Sequence, residues 1–371
     1  MAIVHQSVLN PSIVDQSTLE RSTTAPRTFY SLEGLRGVLA LAVVAGHFNA
    51  ISWLKPVGLK FNFHLAVDIF FILSGFVLMH SNYAVTPAVK TWPFIVKRFA
   101  RLYPLHFVTF AAMALLLVLQ NQTISPWSIV RQVFLLHGDN YGTPNFNAPS
   151  WSIAIEFWCS LLFLFASRWF ASASNAARRL GLVFAGVFVA WTAAGLHSTI
   201  FDDPTQSWFP GGGNYARGVA GFTLGLIGYS VAERFAAVPM HVRHWLGWAS
   251  SAIVAGFFFL DWHPAAAIAF YGASLVLVTT LAVTPTFLPM LSSRVCVWLG
   301  AISYAVYLLH VVIDALLVHY FAELFANNVP AKLLRFPLVL AIATITYTWF
   351  ERPVQTAIRN AALAPRKPVL G

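Results

Sequence analysis

Residues 32–49 read LEGLRGVLALAVVAGHFN, an apolar run that carries an arginine and a histidine. Gly34 to Trp53 supplies about the 20 residues that a helix needs to cross a bilayer core. Arg36 and His47 stand eleven positions apart within it. At about 100° per residue, that separation brings the two side chains back to within roughly 20° of each other and about 16 Å apart along the axis. They share one face at different depths. An ionisable group in such a helix costs at least ~2.5–3.5 kcal/mol, so it faces a protein interior or a wet cavity and has a task there. The plainer alternative makes Arg36 a cytoplasmic anchor and His47 an interhelical hydrogen-bonder.

The whole chain has the same character. Of 371 residues, 58% are hydrophobic and 10% charged, with a mean hydropathy of +0.69. No ordinary water-soluble domain has this composition, which predicts an all-α polytopic membrane protein with the lipid bilayer as a partner. A formal charge of +10 would fit a nucleic-acid binder in a soluble chain. Here the basic residues collect at helix ends, as cytoplasmic loops require, and nucleic acid is excluded. Cys159 and Cys296 are the only cysteines and lack metal-ligand spacing, so they read as packing residues and no metal is expected.

Ten segments are apolar enough to span: about 34–53, 63–82, 102–119, 151–171, 180–197, 215–232, 245–261, 264–283, 302–321 and 333–350. With the N-terminus inside, most of the 23 Lys and Arg fall on the cytoplasmic side, which places both termini in the cytoplasm. Residues 1–27 are polar and read as a disordered cytoplasmic tail, 28–353 as the transmembrane domain, and 354–371 as a C-terminal cytoplasmic tail. The pair 245–261 and 264–283 is split only by Asp261-Trp262-His263-Pro264, either a tight external turn or a break in one helix. The connections 120–150 and 198–214 are rich in Gly, Pro, Asn and aromatics and are candidate lids or acceptor surfaces. Gly218, Gly221, Gly225 and Gly228 form a small-residue stripe for close helix packing.

Four further groups carry chemistry. His64 and Asp68 lie four apart at the start of the second span, where Asp68 either fixes the tautomer of a histidine, His47 included, or neutralises a buried arginine. Arg98 and Arg101 are read at the N-terminus of the third helix, where two guanidinium forks and free amides suit a polyphosphate. The positive-inside bias also accounts for them. Glu156 lies one turn into the fourth helix after Asn147-Ala148-Pro149-Ser150-Trp151-Ser152, at a depth where a carboxylate pairs with a base or holds a proton. Tyr304, Tyr307 and His310 make a polar stripe on the ninth helix, and Glu351-Arg352-Pro353 closes the tenth, with Pro353 as its stop.

Taken together, LEGLRG with Arg36 and His47, DIFFILSGFVL, KRFARLYP, PSWSIAIEFW, ISYAVYLLH and the closing ERP resemble acyltransferase family 3, a family of integral-membrane acyltransferases. The resemblance covers roughly residues 28–353. It implies ten transmembrane helices in the cytoplasmic (inner) membrane and an acyl-coenzyme A donor on the cytoplasmic side. It also implies transfer of an acyl group, most often acetyl, to a hydroxyl of a carbohydrate or glycoconjugate. By the same resemblance Arg36 and His47 are essential, and Arg98 and Arg101 correspond to the paired arginines of the family. Glu33 stands where the family commonly has Asp, and no fused C-terminal hydrolase-like domain is expected in this chain.

The residue types support the same chemistry. A hydroxyl attacking a thioester needs a base, and neutral imidazole suits that role near neutral pH. His47 is the expected base, Arg36, Arg98 and Arg101 the donor's phosphate ligands, and Asp68 or Glu156 the group that orients the imidazole. In a variant of this mechanism His47 is itself acylated. The rival reading is a proton-coupled transporter of a small polar or anionic solute, in which the same buried groups form a relay. Against it, no inverted repeat is visible and the charges crowd into the first four helices.

Overall fold

The computed structural model describes residues 29–83, 90–138, 146–172, 212–260, 266–321, 323 and 329–364. The tail 1–27, the expected span 180–197, most of the connection 198–214 and the turn Asp261 to Pro264 lie outside the described residues. All regular structure among the described residues is helical: α1 (Tyr30–His47), α2 (Leu65–Tyr83), α3 (Thr91–Leu119), α4 (Pro126–Val133), α5 (Trp151–Ser172), α6 (Gly212–Ala236), α7 (Met240–Phe259), α8 (Ala267–Val283), α9 (Arg294–Tyr320), α10 (Val329–Thr346) and α11 (Arg352–Leu363). Thr91–Leu119, Arg294–Tyr320 and the stretch Leu333–Leu363 are long and apolar enough to cross a membrane.

Two close helix pairs organise the bundle: α1 lies along α9, and α2 along α6. Glycine makes both possible, because backbones can meet only where no Cβ intervenes. A Cβ on Gly75 of α2 would stand 2.0 Å from the Phe222 carbonyl oxygen, and one on Gly225 of α6 would stand 2.1 Å from that of Ile72. In the other pair, a Cβ on Gly300 would sit 2.1 Å from the Glu33 oxygen. The glycines of LEGLRG and of the stripe on α6 thus hold the elements that carry Arg36 and Asp68. Serine and threonine hydroxyls inside the helices bond back to carbonyls three or four residues earlier, as Ser303 does to Gly300 and Thr344 to Leu340.

α7 and α8 are separate helices packed on each other, not one broken helix. The extended segment before α2 closes the end of α7. Asn62 donates through Nδ2 to the carbonyls of Phe257 and Leu260, at 2.8 and 3.1 Å, and through its amide to Phe258. These are carbonyls that the end of a helix leaves without intrahelical partners.

Two expected boundaries are corrected. α3 starts at Thr91, not near residue 102, and Pro93 falls in its first turn, where a missing N–H costs no helix bond. Arg98 and Arg101 therefore lie inside the helix. Their amides are taken up in its ladder, and the argument from free N-terminal amides does not apply to them. Pro353 does not stop the last helix either. A π-type turn at Tyr347–Glu351 leads into α11, and Pro353 occupies its first turn.

Candidate functional site

The inner faces of α1, α2, α3, α5 and α9 enclose a cavity of about 210 Å³. Arg36, Arg98 and Arg101 all reach it, together with Glu33, Glu156 and the hydroxyls of Ser74, Tyr304 and Tyr307. The cations are partly neutralised. Arg36 donates through Nη1 alone to both carboxylate oxygens of Glu33 at 2.9 Å, one helical turn back. Arg98 spans α3 to α5, donating to Glu156 at 2.9 Å and to the Ser160 hydroxyl at 2.8 and 3.0 Å. Ser74 donates to the same carboxylate at 3.1 Å. Arg101 makes no hydrogen bond or ion pair among the described residues, although Glu156, Glu351 and Glu33 lie within electrostatic reach. Among the described residues it is the cavity arginine whose guanidinium has no hydrogen-bonded protein partner.

The far wall is built by α9. Tyr304 donates to the Leu102 carbonyl. Tyr307 donates to Pro149 at 3.1 Å and lies 2.8 Å from the Ser152 hydroxyl. Asn147, buried, donates to the Leu308 carbonyl at 2.9 Å. The sequence PSWS is thus pinned to α9 by side chains. Ser150 bonds the Asn147 carbonyl instead of capping α5. His137, in the connection before PSWS, lies 3.1 Å from the Ser150 hydroxyl and carbonyl, and burial pushes it down to about 3, so it stays neutral there.

His47 is not a wall of this cavity. It ends α1 on an exposed face, packed edge-on to Phe63, with Nδ1 3.0 Å from the Val43 carbonyl and 3.2 Å from Nε2 of His310. His310 is completely enclosed, and its ring centroid is 6.2 Å from that of Tyr307, which lines the cavity. Asp314, one turn further along α9, pairs with Arg335 of α10 at 2.6 Å and lies within electrostatic reach of His47.

Neither carboxylate expected to orient the imidazole does so. Asp68, with no exposed surface, accepts from Arg217 at 2.8 and 3.0 Å and from the Tyr271 hydroxyl at 2.6 Å. The other reading of Asp68, a neutraliser of a buried arginine, is the one the packing realises, because α6 lies along α2 and brings Arg217 to it. Glu156 serves Arg98. Sequence reasoning placed His310 in a polar stripe without seeing its partner, and it missed Asp314 and the approach of Glu351 to Arg101. The spacing of His310 and Asp314, four apart on one helix face, was the available signal.

Among the described residues the chain is a helical bundle with an arginine-lined cavity and a histidine pair where α1 meets α9. Residues 29–350 match the model of acyltransferase family 3, described as an acyltransferase domain, and the chain belongs to that family. It is 40% identical over 99 residues to "Protein 2 in picA locus" of Rhizobium radiobacter, covering 25% of this chain and 48% of that one. It is 32% identical over 211 residues to acyltransferase MdmB of Streptomyces mycarofaciens, covering 51% and 49%. Over 170 residues it is 28% identical to peptidoglycan O-acetyltransferase OatA of Listeria monocytogenes, covering 40% and 26%. The chain spans half or less of the length of these curated relatives. No solved structure matches it.

Proposed function

We propose that the protein is a multi-pass enzyme of the cytoplasmic membrane, with ten spans and both termini inside, that moves an acyl group, most simply acetyl, from acyl-coenzyme A to a hydroxyl of a carbohydrate or glycoconjugate. The observation that carries this reading is the convergence of Arg36, Arg98 and Arg101 from two helices on one cavity whose first helix ends at His47. Guanidinium groups grip phosphate oxygens in pairs, and coenzyme A supplies several. Arg101 takes the first of these contacts. Arg36 and Arg98 have carboxylate partners that a phosphate would have to share or displace. In this reading His47, about 16 Å along α1 from Arg36, meets the acyl end of a long donor and takes the acceptor's proton as the thioester is attacked.

The test is purified protein supplied with acetyl-coenzyme A and extracted surface glycans. Release of free thiol together with an acetyl group gained by the glycan supports the reading. Solute uptake into vesicles with no thiol released would favour a transporter instead.

Arg101→Ala is expected to raise the Michaelis constant for acetyl-coenzyme A about tenfold with little change in turnover, because a phosphate contact is mainly ground-state binding. Arg98→Ala is expected to raise it too, and also to lower the yield of folded protein, since Glu156 loses its cation. Donor saturation curves unchanged in both variants would remove the phosphate role.

A further inference from the structure

The hydrogen bonds around His47 and His310 assign both tautomers. Nδ1 of His310 lies 3.1 Å from the Val306 carbonyl oxygen, and a carbonyl only accepts, so this nitrogen carries the proton. Nδ1 of His47 lies 3.0 Å from the Val43 carbonyl and must likewise donate. The two rings meet at 3.2 Å between Nδ1 of His47 and Nε2 of His310. A proton on Nε2 of His310 would set two donors face to face, so that nitrogen is bare and accepts. Nδ1–H of His47 is then shared between Val43 and His310, and the lone pair of the neutral His47 ring sits on Nε2. No carboxylate is needed to fix it.

We propose that His310 is the positioning residue for His47, taking the part that sequence reasoning gave to Asp68 or Glu156. This rests on His47 being the base of the proposed transfer. Val43 sets the tautomer of His47, and His310 accepts the same Nδ1–H and holds the ring in place at the exposed end of α1. As the acceptor oxygen bonds the thioester carbonyl carbon, its proton moves to Nε2 of His47. The C–S bond breaks and the departing coenzyme A thiolate takes that proton as a thiol, which restores the neutral ring. In the interval His47 is an imidazolium whose Nδ1–H still points at His310, with the Asp314 carboxylate within electrostatic reach.

Two substitutions separate this role from simple packing. In His310→Gln the end of the side chain overlies the Nε2 position and can accept from His47. In His310→Asn the amide overlies Nδ1 and can keep the Val306 bond, but nothing reaches His47. The Gln variant is expected to keep a tenth or more of wild-type kcat. The Asn variant is expected to lose about 100-fold, because a ring no longer held by His310 carries Nε2 away from the acceptor's proton. Both should keep the donor KM within about twofold. Equal kcat in the two variants, or Asn the more active, would overturn the proposal, because a residue needed only for its bond to Val306 favours Asn. If the wild type releases no thiol, or His47→Ala stays active, the reading of His47 has failed. A dead His47→Ala beside a fully active His310→Asn defeats this inference alone.

Discussion

His47→Ala should lower acyl transfer by about 10²- to 10⁴-fold, the usual worth of a positioned general base, and by more if His47 also carries the acyl group. The protein should stay folded. His47 lies on an exposed face at the last position of α1, makes no ion pair among the described residues, and packs against Phe63 and His310. Its removal creates no buried unpaired charge. Thiol release from acetyl-coenzyme A by detergent-purified variant and wild type gives the comparison. A well-expressed variant that keeps more than a tenth of wild-type turnover would exclude His47 from both roles.

Asp68→Ala should have the largest effect on folding. It leaves Arg217, whose side chain is 6% exposed, without its carboxylate, and the Tyr271 hydroxyl without its acceptor. Breaking one partner out of a buried pair costs about 3–5 kcal/mol, because the remaining charge stays desolvated. Arg217 also donates to the His64 carbonyl and stacks over Trp151, so the loss reaches the entries of α2 and α5. Thermal unfolding in detergent, followed by tryptophan fluorescence, should show a much lower midpoint or no folded protein. Asp68→Asn keeps an acceptor for Arg217 and Tyr271, and the fraction that folds should turn over within a few-fold of wild type. A stably folded Asp68→Asn protein with abolished turnover would return Asp68 to the reaction.

These two residues show what could be read from the chain alone. Arg36 and His47 were visible because charge in an apolar run is costly, and that cost is a property of the segment itself. The glycine stripe on α6 was legible for a similar reason, since spacings of three and four define a face before any partner is known. The partner of Asp68 was not legible. Two readings stood, and the choice depends on α6 packing on α2, with Arg217 lying 149 residues further along the chain. The same holds for His47 and His310, 263 residues apart. The start of α3 was misplaced because hydropathy marks where lipid contact begins, whereas a helix begins where its first turn can form. TWPFIVKRFARLYP is helical from Thr91 despite its charges. Pro353 misled in the opposite way: a proline halts a helix only where its missing N–H and ring clash are not absorbed, and the π turn before α11 absorbs them.

In the proposed reaction labour is divided between two places, with the arginine cavity binding the donor and the histidine pair performing the transfer. Equilibrium binding of radiolabelled acetyl-coenzyme A to wild type, His47→Ala and Arg101→Ala tests that division directly. His47→Ala should bind the donor with wild-type Kd while releasing thiol about 10²- to 10⁴-fold more slowly, and Arg101→Ala should bind about tenfold more weakly. Donor binding lost in His47→Ala and unchanged in Arg101→Ala would contradict it.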